Sequence, residues 1–171
     1  MSLVLEFCPG AVRAARATYR KGDFTLQYAV EQRPAGREGL GIQASVDARL
    51  GIKPAKWLGI ADTLVMVFSG LDADFVALDA YTNAELWAHT NELALPEVNG
   101  VGRLRLAGPP LDTDRIDIGV VPQFQYSEQQ VRLRISLGRR GTRHYQVSSC
   151  LVVGVDDRGI ATLDLSSVEQ V

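Results

Sequence analysis

The segment IDIGVVPQFQYSEQQVRLRISL, residues 116–137, alternates apolar and polar side chains with a period of two. Ile116, Ile118, Val120, Pro122, Phe124 and Tyr126 share one parity. After Ser127, Glu128, Gln129 and Gln130 the odd positions Val131, Leu133, Ile135 and Leu137 take over. Successive side chains of a strand point to opposite faces, so the pattern reads as half-buried strands joined by a four-residue turn. The pairing this predicts sets Tyr126 against Val131, Phe124 against Leu133 and Pro122 against Ile135. On the other face Gln125 meets Arg132 and Gln123 meets Arg134. A slip of one residue would turn every apolar side chain to water, which secures the faces. Pro122 has no N–H to donate and marks an edge strand or a bulge.

The same reading extends to the C-terminus. A loop at Gly138–Thr142 brings Tyr145 to Ile135 and Val147 to Leu133, and lays Gln146 beside Arg134 and Ser148 beside Arg132. A third hairpin closes at Asp156, Asp157 and Arg158, with Gly159 free to take a positive φ. It matches Leu151 with Leu163, Val153 with Ala161, and Cys150 with Asp164.

Upstream, Leu3–Phe7 reads as a strand ended by Pro9 and Gly10. Residues 11–21 place Val12, Ala15 and Tyr19 at helical spacing, and their alanine content favours a short helix over a strand. Phe24–Glu31 and Ile42–Ala48 read as strands around an exposed loop at 33–39. Pro54 suits the first turn of a short helix through Ala61, with Trp57 and Ile60 inward. Thr63–Phe68 is continuously apolar, as in a central strand. Phe75–Tyr81 and Val101–Leu106 are further strands, and Leu86–Leu95 is a strand or a short helix capped by Thr82 or Asn83. The expected fold is a single all-β domain over residues 1–171, mainly antiparallel. It is a sandwich or barrel of roughly ten strands with one or two short helices.

Composition narrows function by exclusion. A net charge of −2, from 18 basic against 20 acidic residues, disfavours a nucleic-acid partner. The N-terminal residues lack the basic and apolar regions of a signal peptide, and no apolar run reaches membrane-spanning length, so a cytoplasmic location is expected. From Trp57 to Gly102 there is no Lys or Arg, whereas Asp62, Asp72, Asp74, Asp79, Glu85, Glu92 and Glu97 fall within that block. Cys8 and Cys150 lack the spacing of a metal site and read as free buried thiols.

No catalytic constellation and no cofactor motif emerges. Phosphate-loop, dinucleotide and nucleophile-elbow patterns are absent, and Gly36–Gly41 lacks the order such loops need. Asp72/Asp74 and Asp112/Asp114 suit turns, where Asp bonds local amides, better than a cation site. His144 and Cys150 point the same way, yet six strand residues set them roughly 20 Å apart, too far for a nucleophile–base pair.

Two readings remain. In the first, the protein is a non-enzymatic binding or assembly module. Its contact surface is then the polar sheet face of Gln123, Gln125, Arg132, Arg134, Gln146 and Ser148, facing a protein partner, a second copy or a small anionic ligand. An ordinary solvated face would carry the same residues. In the second, a barrel with an interior pocket near Trp57, Trp87 and His89 binds a small molecule and could act on it as an enzyme.

Overall fold

The computed structural model describes residues 3–31 and 56–171. The expected 33–39 loop, the 42–48 strand and the Gly36–Gly41 run lie outside them. Among these described residues fifteen strands form two sheets, and a single 3₁₀ turn lies outside both. One sheet runs, edge to edge, β1 (Leu5–Pro9), β8 (Gly100–Leu106), β12 (Arg143–Ser148), β13 (Leu151–Asp156), β14 (Gly159–Ser166), β11 (Arg132–Ser136), β10 (Gln123–Ser127) and β7 (Ala88–His89). The other runs β15 (Glu169–Gln170), β2 (Ala15–Arg20), β3 (Thr25–Val30), β6 (Phe75–Tyr81), β5 (Leu64–Ser69), β4 (Lys56–Ala61) and β9 (Arg115–Asp117). Most neighbours are antiparallel. The pairs β7/β10, β8/β12, β2/β15 and β4/β9 are parallel, which makes both sheets mixed.

The two inner faces share one core, so the fold is a sandwich. Leu26, Tyr28, Phe68, Phe75 and Leu78 of one sheet pack in the same apolar cluster as Leu133, Ile135, Leu163 and Leu165 of the other. Each of these is almost wholly removed from water, worth about 1.5–3 kcal/mol for a Leu or Phe side chain. Tyr28 stacks on Phe75 and Phe75 leans on Phe68, a row of rings through the middle of the β3–β6–β5 layer.

Both expected helices are strands. In β2 the period is two, with Ala17 and Tyr19 buried and Arg16 and Arg20 exposed. Pairing with β3 along its whole length outweighs the helical preference of alanine, which is small per residue. In β4 the period is two: Trp57 faces the core as expected, together with Gly59 and Ala61, whereas Ile60, which a helix would bring to the same side as Trp57, is only half-buried. Segment 86–95 is neither a full strand nor a helix. Asn83 caps the 3₁₀ turn Ala84–Leu86, β7 spans two residues, and irregular chain follows.

The alternating segment keeps its faces except at Val131, which was expected inward but lies exposed in the turn, and it does not keep its continuity. β9 joins one sheet and β10 the other, and the chain changes sheet between them at Gly119, whose φ is +66°. Ile116, Pro122 and Tyr126 are buried, and Ile118, Val120 and Phe124 are partly so, as the parity requires. The β10/β11 register is two residues from the expected one: Tyr126 opposes Leu133, Phe124 opposes Ile135 and Gln125 opposes Arg134. The turn is Glu128–Val131 instead of Ser127–Gln130, closed by Val131 N–H on Glu128 O, and Val131 takes a φ of +52°. An even slip preserves parity, so hydrophobic pattern alone leaves it undetermined.

The larger departure is topological. β12 does not return beside β11; it pairs with β13 and β8, while β11 lies against β14. The spatial order β12–β13–β14–β11 is a Greek key, with residues 137–142 carrying the long connection. The β13/β14 hairpin forms at Gly159 as expected, with φ at +116°, but it too is shifted by two: Leu151 opposes Leu165 and Val153 opposes Leu163.

Candidate binding cleft at one end of the sandwich

The Greek key decides the fate of the polar face. Arg132 and Arg134 stand on β11, whereas Gln146 and Ser148 stand on β12, with β13 and β14 between them. Ser148 is fully buried. Gln125 is opposite Arg134 and Gln123 opposite Ser136, and both glutamines are exposed. The six residues therefore do not converge.

The two arginines are engaged within the chain. Arg134 Nε donates to Asp164 Oδ1 at 2.6 Å, and its Nη2 donates to Ala94 O at 2.8 Å. Arg132 Nη1 donates to Leu93 O at 3.0 Å. Leu93 N–H donates to the Gln130 side-chain oxygen, and Ser127 Oγ donates to Asn91 O. Residues 91–94 thus form a strap bound to β10 and β11, with Leu93 buried beneath it. Burial pushes the Asp164 carboxyl above its usual range, and Arg134 holds it back in part. The sheet face at this position is covered.

The second pair of chemical leads parts company as well. Trp57 donates its indole N–H to Pro110 O, away from Trp87 and His89. Asp72 and Asp74 lie in the β5/β6 turn. There Asp72 Oδ1 accepts the Asp74 N–H, the local bonding that favours Asp in turns. Asp74 is buried against Arg103, at 2.9 Å, with Arg13 at 3.9 Å. Desolvation and the neighbouring Asp72 raise its pKa against those two guanidinium groups. Among the described residues no cluster of three metal-ligating side chains forms. Cys8 and Cys150 are free thiols; Cys150 is buried, while Cys8 is half-buried with its sulfur against the Arg105 guanidinium.

Trp87 and His89 do meet in a concavity. At the end of the sandwich where the β2/β3, β4/β5 and β10/β11 turns gather, a half-open cleft of about 290 Å³ lies between the sheets. Its lining comes from both: Tyr19, Lys21 and Phe24 from the β2/β3 hairpin, Glu85, Trp87 and His89 from the 3₁₀ turn and β7, Tyr126 and Glu128 from β10 and its turn, and Gln170 from β15. A shallower hollow shares Asn83 and Trp87 with it and extends past Leu86 to Gln123 and Phe124.

The rings of the floor are locked. Trp87 stacks on Phe124 at 6.0 Å, tilts against Tyr19 at 4.8 Å and against Tyr126 at 5.7 Å; His89 meets Tyr126 edge-on. Their polar atoms are largely spent inside. Tyr19 Oη donates to Thr82 O and accepts from Ala84 N–H, and Trp87 Nε1 donates to Thr82 Oγ1. Tyr126 Oη accepts from Gln170, and His89 Nε2 lies 3.3 Å from Ala84 O. Tyr19, Trp87 and Tyr126 are themselves buried, so the ring surface open to a visitor is that of Phe24 and His89.

The mouth differs. Phe24 and Tyr81 pair edge-on and are exposed, and Leu86 is 84% exposed. Phe24, Asp62 and Val131 all take positive φ, one in each of the three turns at this end. Such conformations are uncommon for non-glycine residues, and for a β-branched valine the strain is real. Lys21, Glu85 and Glu128 are exposed and form no ion pair among the described residues.

Trp87 and His89 were visible in the sequence as leads, but Tyr19, Lys21, Phe24, Glu128 and Gln170 were not. Tyr19 stands on a strand expected as helix, Lys21 and Phe24 share the β2/β3 turn, Glu128 lies in the β10/β11 turn, and Gln170 belongs to β15. An aromatic directly after Gly22 and Asp23, where a turn usually places a polar residue, was the one local signal available.

Comparison with known proteins finds no matching family model and no curated relative. No helix among the described residues is long and apolar enough to cross a membrane.

Proposed function

We propose that this protein is a non-enzymatic β-sandwich binding module whose contact site is the aromatic cleft and its turn-built mouth. The observation that carries this reading is the division of labour in the cleft. Tyr19, Trp87 and Tyr126 are buried and spend their hydrogen-bonding atoms on the chain itself, while exposed Phe24 and His89 line an opening rimmed by Lys21, Glu85 and Glu128, which form no ion pair among the described residues. Ligand sites have that composition, an apolar lining with a few polar groups placed around it. Exposed Phe24, Tyr81 and Leu86 add an apolar margin of the kind that marks contact surfaces. The Arg/Gln face contributes only Gln123, through the hollow beside Leu86.

A fragment screen followed by ¹H–¹⁵N NMR tests this. Hits are expected to shift the Trp87 indole and the backbone amides of Lys21, Glu85 and Glu128. Hits confined to Gln125, Arg132 and Arg134 would assign the contact to the strapped sheet face instead. Sedimentation tests a second copy as partner: a dimer dispersed by Leu86→Glu would place self-association at this same mouth.

A further inference from the structure

We infer that the free edge of β1 pairs with the β1 of a second copy, joining two eight-stranded sheets across a two-fold axis at Phe7. Among the described residues four strands stand at sheet edges, and three of them, β7, β9 and β15, are only two or three residues long. Short edges are a usual guard against strand addition. β1 runs for five residues and has β8 on one side only. Its bonds to β8 fall on even positions: Val4 O accepts from Ala107 N–H at one end, and Gly10 N–H donates to Val101 O at the other. The N–H and C=O groups of Leu5 and Phe7, and the Pro9 carbonyl, therefore point away from β8. Pro9 fits that parity, since its missing N–H falls on the open side.

Backbone and charge together select the register. Antiparallel pairing about an axis at Glu6 would set Glu6 opposite its own copy, two like charges at the closest cross-strand distance. An axis at Cys8 would match Phe7 with Pro9 and keep only two backbone bonds, because Pro9 cannot donate. The axis at Phe7 keeps four: a reciprocal pair between the two Phe7 residues, and each Leu5 N–H on the Pro9 carbonyl of the other copy. It sets Glu6, whose side chain is 60% exposed, opposite Cys8 of the other copy. There the Arg105 guanidinium holds the Cys8 sulfur at 2.7 and 2.9 Å, so each Glu6 carboxylate approaches a second cation beyond its own Arg105 at 3.8 Å. Arg103, the other charge on this face of β8, is turned to Asp74 and Asp72. Val4 and Val12, both exposed, flank β1. The same axis places Val4 opposite Gly10 of the other copy, two residues from Val12.

Each edge is used up by the other, so the contact closes as a dimer and does not propagate. Four backbone bonds and this margin make a small interface, of the kind that dissociates on dilution.

Sedimentation equilibrium on the whole protein should show a dimer at high concentration that separates as it is diluted. Glu6→Lys should weaken it about tenfold, by setting like charges against Arg105 in both copies. That side chain is exposed, and an unchanged circular dichroism spectrum is expected to show that the variant stays folded. Glu6→Cys reads the register. Positions 6 and 8 of opposite copies face each other at about 4.5 Å between Cα atoms, within disulfide reach. Oxidation by glutathione disulfide should therefore give a covalent dimer whose proteolytic peptides join position 6 to Cys8. The wild-type protein, treated in the same way, should give none.

A monomer at every concentration would overturn the edge pairing, as would a dimer indifferent to Glu6→Lys. A bridge between two Cys8 residues in the wild-type protein would move the axis to Cys8 and overturn the register. A dimer dispersed by Leu86→Glu and not by Glu6→Lys would place self-association at the mouth of the cleft and overturn the inference.

Discussion

The strap over β10 and β11 and the cleft at the mouth are built from the same material, charged side chains beside aromatic or apolar ones. They differ in where the polar atoms go. Under the strap, Arg132, Arg134, Gln130 and Ser127 all bond residues 91–94 or Asp164, and the region is closed to further partners. In the cleft the rings are satisfied from behind, and the charges at the rim form no ion pair among the described residues. A polar patch in a sequence is therefore not a site until one knows whether the chain itself has already occupied it.

The sharpest way to break this comparison is to remove a charge from each region. Arg134→Ala should cost about 2–3 kcal/mol, because it strands the buried Asp164 and releases Ala94. The figure lies below the usual cost of breaking a buried pair because Arg134 is itself partly exposed. Thermal unfolding measures it. Charge reversal at both Arg132 and Arg134 should be worse still, whereas a merely solvated face would tolerate it; an unchanged melting temperature would show that the strap is not holding.

Next in size is Gln130→Ala. It deprives the buried Leu93 N–H of its acceptor and should cost about 1 kcal/mol, with faster hydrogen exchange confined to residues 91–94. Exchange spread over β10 and β11 would mean that strap and sheet open together. The smallest effect belongs to the cleft. Glu85→Gln with Glu128→Gln should change stability by less than about 0.5 kcal/mol, as expected of exposed, unpaired carboxylates. A larger loss would reveal a structural role for the rim.

Titration separates the regions further. Burial raises Asp164, so the group favours folding while protonated, below the unfolded value of 3.8. That contribution is lost as pH rises through its higher folded value. The stability of the native protein relative to Asp164→Asn should therefore fall with rising pH above about 4, read from paired denaturation curves. Tyr28 gives the alkaline counterpart. Burial lifts its phenol to about 12, with nearby Ser148 softening the shift although no hydrogen bond of good geometry forms. Its neutral form supports the fold below pH 10, and that support disappears as pH passes through about 12. Tyr28→Phe should blunt alkaline unfolding and cost little at neutral pH, because the hydroxyl has no partner to lose.

The strands and their inward faces were legible because parity is a local property of the chain. Ile116, Pro122, Tyr126, Leu133 and Ile135 are inward as the alternation required. Strand order was not, because nothing in the spacing of residues 137–142 says whether β12 folds back on β11 or crosses to the far side of β13. That choice alone removed Gln146 and Ser148 from Arg132 and Arg134. The two-residue register shifts escaped for a related reason: parity is blind to even slips, and the turn that fixed one of them needs Val131 in a strained conformation. Residues 15–20 misled because alanine favours a helix only weakly, and pairing with β3 decided the matter. The cleft was the least legible feature, since it exists only where turns distant in sequence come together.

The passage of the chain from β9 to β10 through Gly119 is one of five crossings between the layers among the described residues, with β1 to β2, β6 to β7, β8 to β9 and β14 to β15, and the Greek key interlocks one of those layers. Neither sheet can peel away as an independent unit without tearing out buried Ile116 or Pro122. Unfolding should accordingly be a single cooperative event. Tryptophan fluorescence follows Trp57 in one layer and Trp87 at the junction; circular dichroism follows the strands. Their transitions should coincide, and the cleft should keep its shape up to the point at which the whole molecule fails.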